Sequence, residues 1–209
     1  MHFFDFNVRE MIQSLGYWGY IVVWIIIFLE TGFFCFFLPG DSLLFTTGFL
    51  CSIPNSPLNI FVMSFGCFVM AVTGDSLGYY LGKRYGRHLF DRDSFVFKKK
   101  YLAAAEEFYE KKGSMAIIVS RFLAIVRTFV PLVAGMAAMR YRAFVSANVV
   151  GGLLWAVGLN FLGYFLGQTM DPEVLDKYLV PITIGVMVLS FIPSIIHLIQ
   201  EKTKKHEDS

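Results

Sequence analysis

Charge is what this sequence has least of. Asp, Glu, Lys and Arg make up 16% of its 209 residues, where a soluble domain carries about a quarter. Ser42–Gly74, Ala143–Met170 and Tyr178–Gln200 contain none at all. Each run can supply the ~20 apolar residues that cross a hydrocarbon core of ~30 Å. With 56% hydrophobic residues and a mean hydropathy of +0.59, these runs exclude an ordinary soluble domain and point to a polytopic membrane protein. Cysteine is also scarce: Cys35, Cys51 and Cys67 lack CxxC spacing and read as small buried hydrophobes. His88 and His197 have no further His, Cys or carboxylate at metal-ligand spacing, and His2 and His206 are terminal. No metal and no cofactor are expected. GxSxG, GxxxxGK[ST] and HExxH are missing, so no enzymatic activity is expected either. The N-terminal MHFFDFNVRE has no basic stretch ahead of its apolar residues, so no cleavable signal peptide is expected.

The charges that are present cluster. Nine of the 18 Lys and Arg residues fall between Lys83 and Lys112: Lys83, Arg84, Arg87, Arg92, Lys98, Lys99, Lys100, Lys111 and Lys112. An excess of Lys and Arg marks a cytoplasmic loop. The tail 201–209, with Lys202, Lys204 and Lys205, belongs on the same side, and the acidic link Asp171–Lys177 on the outer side. The expected setting is therefore a multi-pass membrane protein with the loop 83–112 and the C-terminus in the cytoplasm. Residues 1–16 form an N-terminal segment suited to the interface, with Phe4, Val8, Met11, Ile12 and Leu15 near one helical face. Within the loop, Leu102, Ala105, Phe108 and Tyr109 make a modest apolar face.

Two apolar units are interrupted. The first, about 17–51, is broken by Pro39-Gly40-Asp41, where proline removes a backbone donor and glycine permits a reversal. The second, about 115–139, carries Pro131 as its expected break and Ala134-Gly135 as small residues at the bend. The pieces next to the breaks are short, which predicts two re-entrant hairpins. Full spans are expected at 58–82 and 144–168, and a further C-terminal helix at 178–200. The motif Leu77-Gly-Tyr-Tyr-Leu-Gly82 recurs as Leu162-Gly-Tyr-Phe-Leu-Gly167. One span and one loop separate the copies, so the second is inverted relative to the first. The predicted fold is all-α: an inverted repeat with two opposed re-entrant hairpins plus transmembrane helices, a pattern shared by many secondary transporters.

Glu30 is the only charged residue between Met11 and Gly40. A lone carboxylate at bilayer depth costs about 2.5–3.5 kcal/mol on insertion scales, so it calls for a partner or a task. The expected partners are Arg121 and Arg127 in the second unit. Glu30 and Asp41 flank the first break, and the two arginines precede the second. If the hairpin tips meet, two acids face two guanidiniums. Glu30 and Asp41 are the groups able to exchange a proton, and Arg121 and Arg127 are suited to hold phosphate through bidentate contacts. Six residues on a straight helix turn through about 240°, so the arginines converge only if the helix distorts or if each serves a different partner. A static network that pins the hairpins is the bland alternative. Asp41 could also cap a helix starting at Ser42. Asp75 corresponds to Asn160 in the repeat, which favours a secondary polar role by hydrogen bonding between helices. Thr128 and Asn148 read as packing residues.

FLETGFFCFFLPGDSLLFTTGFL, GDSLGYYLGKRYG and RFLAIVRTFVPLVAGMAAMRYRAF, followed by the glycine-rich NVVGGLLWA, resemble the DedA family of bacterial inner-membrane proteins over about residues 17–170. That family is similar to the lipid scramblases of the endoplasmic reticulum that share its core. The resemblance implies two opposed re-entrant hairpins and transport of undecaprenyl phosphate or phosphatidylethanolamine, linked to the proton-motive force. It places the family's membrane-embedded acids at Glu30 and Asp41 and its arginines at Arg121 and Arg127. The partners it implies are a membrane lipid and protons, with no nucleic acid and with homo-oligomerisation left open. A proton-coupled antiporter of small solutes, a membrane scaffold and a polyprenyl phosphatase are the competing readings.

Overall fold

The computed structural model describes residues 16–33, 40–85, 113 and 115–169. Pro39, most of the expected interfacial segment 1–16, most of the basic loop 83–112, the link Asp171–Lys177, the helix expected at 178–200 and the tail 201–209 lie outside them. The described chain is helical, with no strand. Its helices are α1 (Trp18–Gly32), α2 (Gly40–Ser52), α3 (Ile60–Tyr85), α4 (Met115–Ser120), α5 (Ala124–Met136), α6 (Tyr141–Gly152) and α7 (Gly158–Thr169). A π-helical turn, Leu153–Val157, joins α6 to α7 into one continuous stretch, Tyr141–Thr169.

Local chemistry accounts for several of the ends. Asn59 caps α3, its Oδ1 accepting from the Phe61 N–H at 2.9 Å. Lys83 and Arg84 occupy the last turn of α3, where the helix dipole favours cations. The link between α2 and α3 turns at Asn55, whose φ of 63° suits a residue type that tolerates the left-handed region. At 26 and 29 residues, α3 and the α6–α7 stretch are long and apolar enough to cross a bilayer.

The second interruption is not where proline predicted it. Pro131 lies inside α5, which runs on to Met136. A proline there forfeits only the bond to the Arg127 carbonyl, and the helix tolerates that loss. The break falls earlier, at Arg121–Leu123, where Leu123 is extended with φ −120° and ψ 98°. This is where two arginines on one straight helix would point apart. Gly135 makes no bend. The chain turns instead at Ala137–Met139, with Ala138 at φ 52° and the Met139 N–H bonded to the Ala134 carbonyl at 3.1 Å, a left-handed helix end.

The two helices of each broken unit part company. α1 packs chiefly on α3, its neighbour in the same half, and touches α2 only marginally. α2 packs instead on α7 of the other half. In the second unit α4 packs on α6 and stays in contact with α5, while α5 crosses to α3. Glycines allow both crossings. A Cβ at Gly163 would strike the Phe45 carbonyl and one at Gly48 the Asn160 carbonyl. In the other crossing, Gly82 lies against the Leu132 carbonyl and Gly135 against that of Tyr79. Such small residues let helix backbones approach closely where apolar burial alone gives little drive. Two buried clusters fill the rest. One is built on Tyr79, Ile117, Phe129, Leu132 and Phe144. The other is built on Ile27, Leu44, Met63, Cys67 and Trp155. Cys51 and Cys67 are buried free thiols, as the apolar context suggested.

Two glycines of α7 separate packing from propensity. A Cβ at Gly158 meets nothing within 4 Å, so Gly158→Ala should stabilise by about 0.5–1 kcal/mol. Gly163→Ala should destabilise by about 1–3 kcal/mol through overpacking on α2. Thermal unfolding in detergent checks both, and similar melting of the two variants would contradict the crossing.

Candidate functional site

The end of α1 sets the depth of the site. The Thr31 hydroxyl bonds back to the Ile27 carbonyl at 2.9 Å, and Gly32 lies so close to Gly74 of α3 that a Cβ on it would come within 3.3 Å of the Gly74 Cα. This contact brings Glu30 and Asp75, the neighbours of those small residues, to one level. Gly40, the first residue of α2, is pressed against the Glu30 carboxylate, where any Cβ would collide. Its role is close approach, in addition to any reversal. Asp41 then falls in the first turn of α2, where the dipole favours an acid. The helix starts before it, so its side chain is turned to partners in the other half.

Arg127 is the centre of one group. Its Nη2 donates to Glu30 Oε1, and its Nη1 donates to Asp41 Oδ1 at 2.8 Å. The same Asp41 oxygen accepts from Trp155 Nε1 at 2.5 Å. Arg121 is the centre of another. Its Nη2 donates to Asp75 Oδ2 and to Asn148 Oδ1, and Asn148 Nδ2 donates to the Val72 carbonyl at 3.0 Å. Both guanidiniums lie against the Trp155 ring, with centroid distances of 4.9 Å for Arg127 and 5.7 Å for Arg121. Burial is nearly complete: relative exposure is 0% for Glu30, 5% for Asp75, 3% for Arg121 and 7% for Arg127.

The structure therefore brings together Glu30, Asp41 and Arg127, and corrects the assignment of Arg121. That residue pairs with Asp75, not with Glu30, so Asp75 makes the interhelical hydrogen bond expected of it, and makes it to a charged partner. Asn160, its counterpart beside the recurring sequence motif, makes an interhelical bond of its own, accepting from the Thr47 hydroxyl at 3.2 Å. Asn148 is a ligand of Arg121, beyond a packing role. Both conditions for using two arginines six residues apart are met: the helix breaks between them, and each has its own acid. Sequence reading missed Trp155. Its apolar surroundings hide it, and the only local sign is that a lone indole N–H in an uncharged run needs an acceptor. Among the described residues no group of three or more His, Cys, Asp and Glu could hold a metal ion.

Three acids and two guanidiniums make a network in which removing one partner is costlier than removing a pair. Asp75→Asn leaves Arg121 buried among amides and should lower stability by about 3–5 kcal/mol. Adding Arg121→Gln to Asp75→Asn should restore much of the loss. Thermal unfolding of the wild type, single and double variants checks this, and unchanged melting of Asp75→Asn would refute the pair.

Residues 38–165 match the VTT domain. The chain is 40% identical over 200 residues to Protein DedA of Escherichia coli K12, covering 95% of this chain and 90% of that protein. It is 41% identical over 173 residues to an uncharacterized membrane protein of Mycobacterium tuberculosis, covering 82% and 75% of the two chains. A similar protein of Mycobacterium leprae is 39% identical over 189 residues. No solved structure matches significantly. All the residues of both ion-pair groups except Glu30 fall inside the matched domain, and the alignment with Protein DedA runs over nearly the whole chain: the chain belongs to the DedA family of VTT-domain membrane proteins.

Proposed function

We propose that the protein is a lipid flippase linked to the proton-motive force, moving undecaprenyl phosphate or a phospholipid such as phosphatidylethanolamine across the bacterial inner membrane. The observation that carries this reading is Arg127 of the second unit held between Glu30 and Asp41 of the first. A guanidinium clamped by two carboxylates is a phosphate-type binding group whose seats are already taken. A phosphate competes for the same bidentate donors, and protonating the carboxylates frees those donors. Counting Asp75 and Arg121, the site has three carboxyls and two guanidiniums, so one proton balances its formal charge. Glu30 Oε2, a buried oxygen with no hydrogen-bond partner among the described residues, offers a seat for it.

The fold supports a transporter. Each broken unit keeps its first helix on its own half and sends its second to the long helix of the other, and glycines seat both crossings. That exchange is what an inverted repeat would produce, and it puts the meeting point of the units at the charges, as in transporters with broken helices. The pieces α2, of 13 residues, and α4, of 6, are too short to cross a bilayer alone, which fits two re-entrant hairpins. With the loop 83–112 on the cytoplasmic side, Lys83 and Arg84 close α3 at that interface.

A second reading has one observation in its favour. The network is closed, with Glu30 at 0% exposure, as a static pin between the two halves would be. Transport of labelled undecaprenyl phosphate and phospholipid in proteoliposomes, with and without a pH gradient, separates the two readings. For a flippase, Glu30→Gln and Arg127→Ala should slow transport by about tenfold or more, and Glu30→Gln should lose the response to the gradient while still folding. For a pin, the variants melt earlier but transport as the wild type does. Ion flux without lipid movement would instead indicate an antiporter.

A further inference from the structure

The two arginines are not equivalent. Arg127 faces two carboxylates, Glu30 and Asp41. Arg121 faces one, Asp75, and shares its Nη2 with the neutral amide of Asn148. A phosphate approaching Arg121 meets less anionic competition. Each arginine keeps a donor in reserve, since Arg121 Nε and Arg127 Nε are both buried without a hydrogen-bond partner among the described residues, so the asymmetry lies in the acids they face. Gly151 lets the Arg121 side chain pass close to α6, since a Cβ there would lie 2.9 Å from Arg121 Cδ and 3.1 Å from Nε.

Trp155 touches both groups. Its ring lies under both guanidiniums, where an aromatic face attracts a desolvated cation. Its N–H is bonded to the same Asp41 oxygen that Arg127 holds. It sits in the π-helical turn, a local departure from regular helix that recurs at functional sites. The ring therefore cannot follow one arginine without altering the seat of Asp41.

We propose that a lipid phosphate is taken first by Arg121, and that Trp155 is the positioning residue that passes this event to the Glu30–Arg127–Asp41 group. This deepens the flippase reading and rests on it for the identity of the ligand. When Arg121 turns from Asp75 to the phosphate, the ring loses one of its two cations and moves. Its N–H leaves Asp41, and the hold on Arg127 loosens.

The indole itself is the reporter. The chain has three tryptophans, and Trp18 and Trp24 lie away from the charges, so a Trp18→Phe, Trp24→Phe protein reports on Trp155 alone. It is reconstituted in phosphatidylcholine nanodiscs, and undecaprenyl phosphate or uncharged undecaprenol is added. The expected result is a change in emission with the phosphate and none with the alcohol, abolished by Arg121→Lys. In transport, Trp155→Phe should lower the maximal rate by about tenfold while KM changes little, because the ring acts after capture. A Trp18→Phe, Trp24→Phe protein that transports the phosphate with no change in Trp155 emission would overturn the proposal. An emission change that Arg121→Lys abolishes, in a protein that moves no lipid, would support the Arg121–Trp155 link and refute the flippase reading instead.

Discussion

Everything in this molecule is arranged around a charge that water does not reach. Glu30 is fully buried, and its partner Arg127 comes from a helix 97 residues later in the chain. An unpaired charge at that depth would cost several kcal/mol, so neither half of the protein is complete without the other. The requirement explains the breaks in both units. α1 must end soon after Glu30, at Gly32, so that α2 can begin against the Glu30 carboxylate at Gly40, and the second unit must break at Arg121–Leu123 so that two arginines can reach different acids. It also explains the small residues at the centre, since Gly32, Gly40, Gly74 and Gly151 give up side-chain volume where charged groups need to meet.

The order of energies favours this view over one driven by apolar burial. In a bilayer the lipid tails are as apolar as leucine, so the drive for helices to associate comes from close packing and polar contacts. The crossings of α2 on α7 and of α5 on α3 place backbone against backbone through Gly48, Gly163, Gly82 and Gly135. The ion-pair groups then fix the register in which those crossings settle.

Much of this was legible in the sequence, and the misses have physical causes. The runs without charge located α3 and the α6–α7 helix because hydropathy reports directly on bilayer crossing. The lone Glu30 announced a buried partner, and Arg127 was named. Arg121 was offered to Glu30, with a separate partner for each arginine as the alternative that holds, because distance along the chain does not show which side of a break a residue ends on. Asp75 was read through Asn160, its counterpart in the recurring sequence motif, and a shared motif does not carry over the charge of the partner each residue meets. Pro131 was taken for the break because proline in isolation disfavours helix, but one lost bond does not stop a helix held on its neighbours. Trp155 was invisible because apolar residues surround it and its importance comes wholly from what folds around it.

The exchange of helices between the halves has a consequence for how the protein is made. The acids of the first unit leave the ribosome long before their partner, since Asp41 and Arg127 are 86 residues apart. At roughly 5–20 residues per second that gap lasts from several seconds to nearly twenty. During it, α2 has neither α7 to lie on nor a cation to answer Asp41, and α1 ends in an unanswered Glu30. The nascent first unit therefore cannot rest in its final place. Its final packing has to follow the arrival of the second unit, which makes late residues such as Arg127 and Gly163 determinants of whether α1 and α2 reach their places.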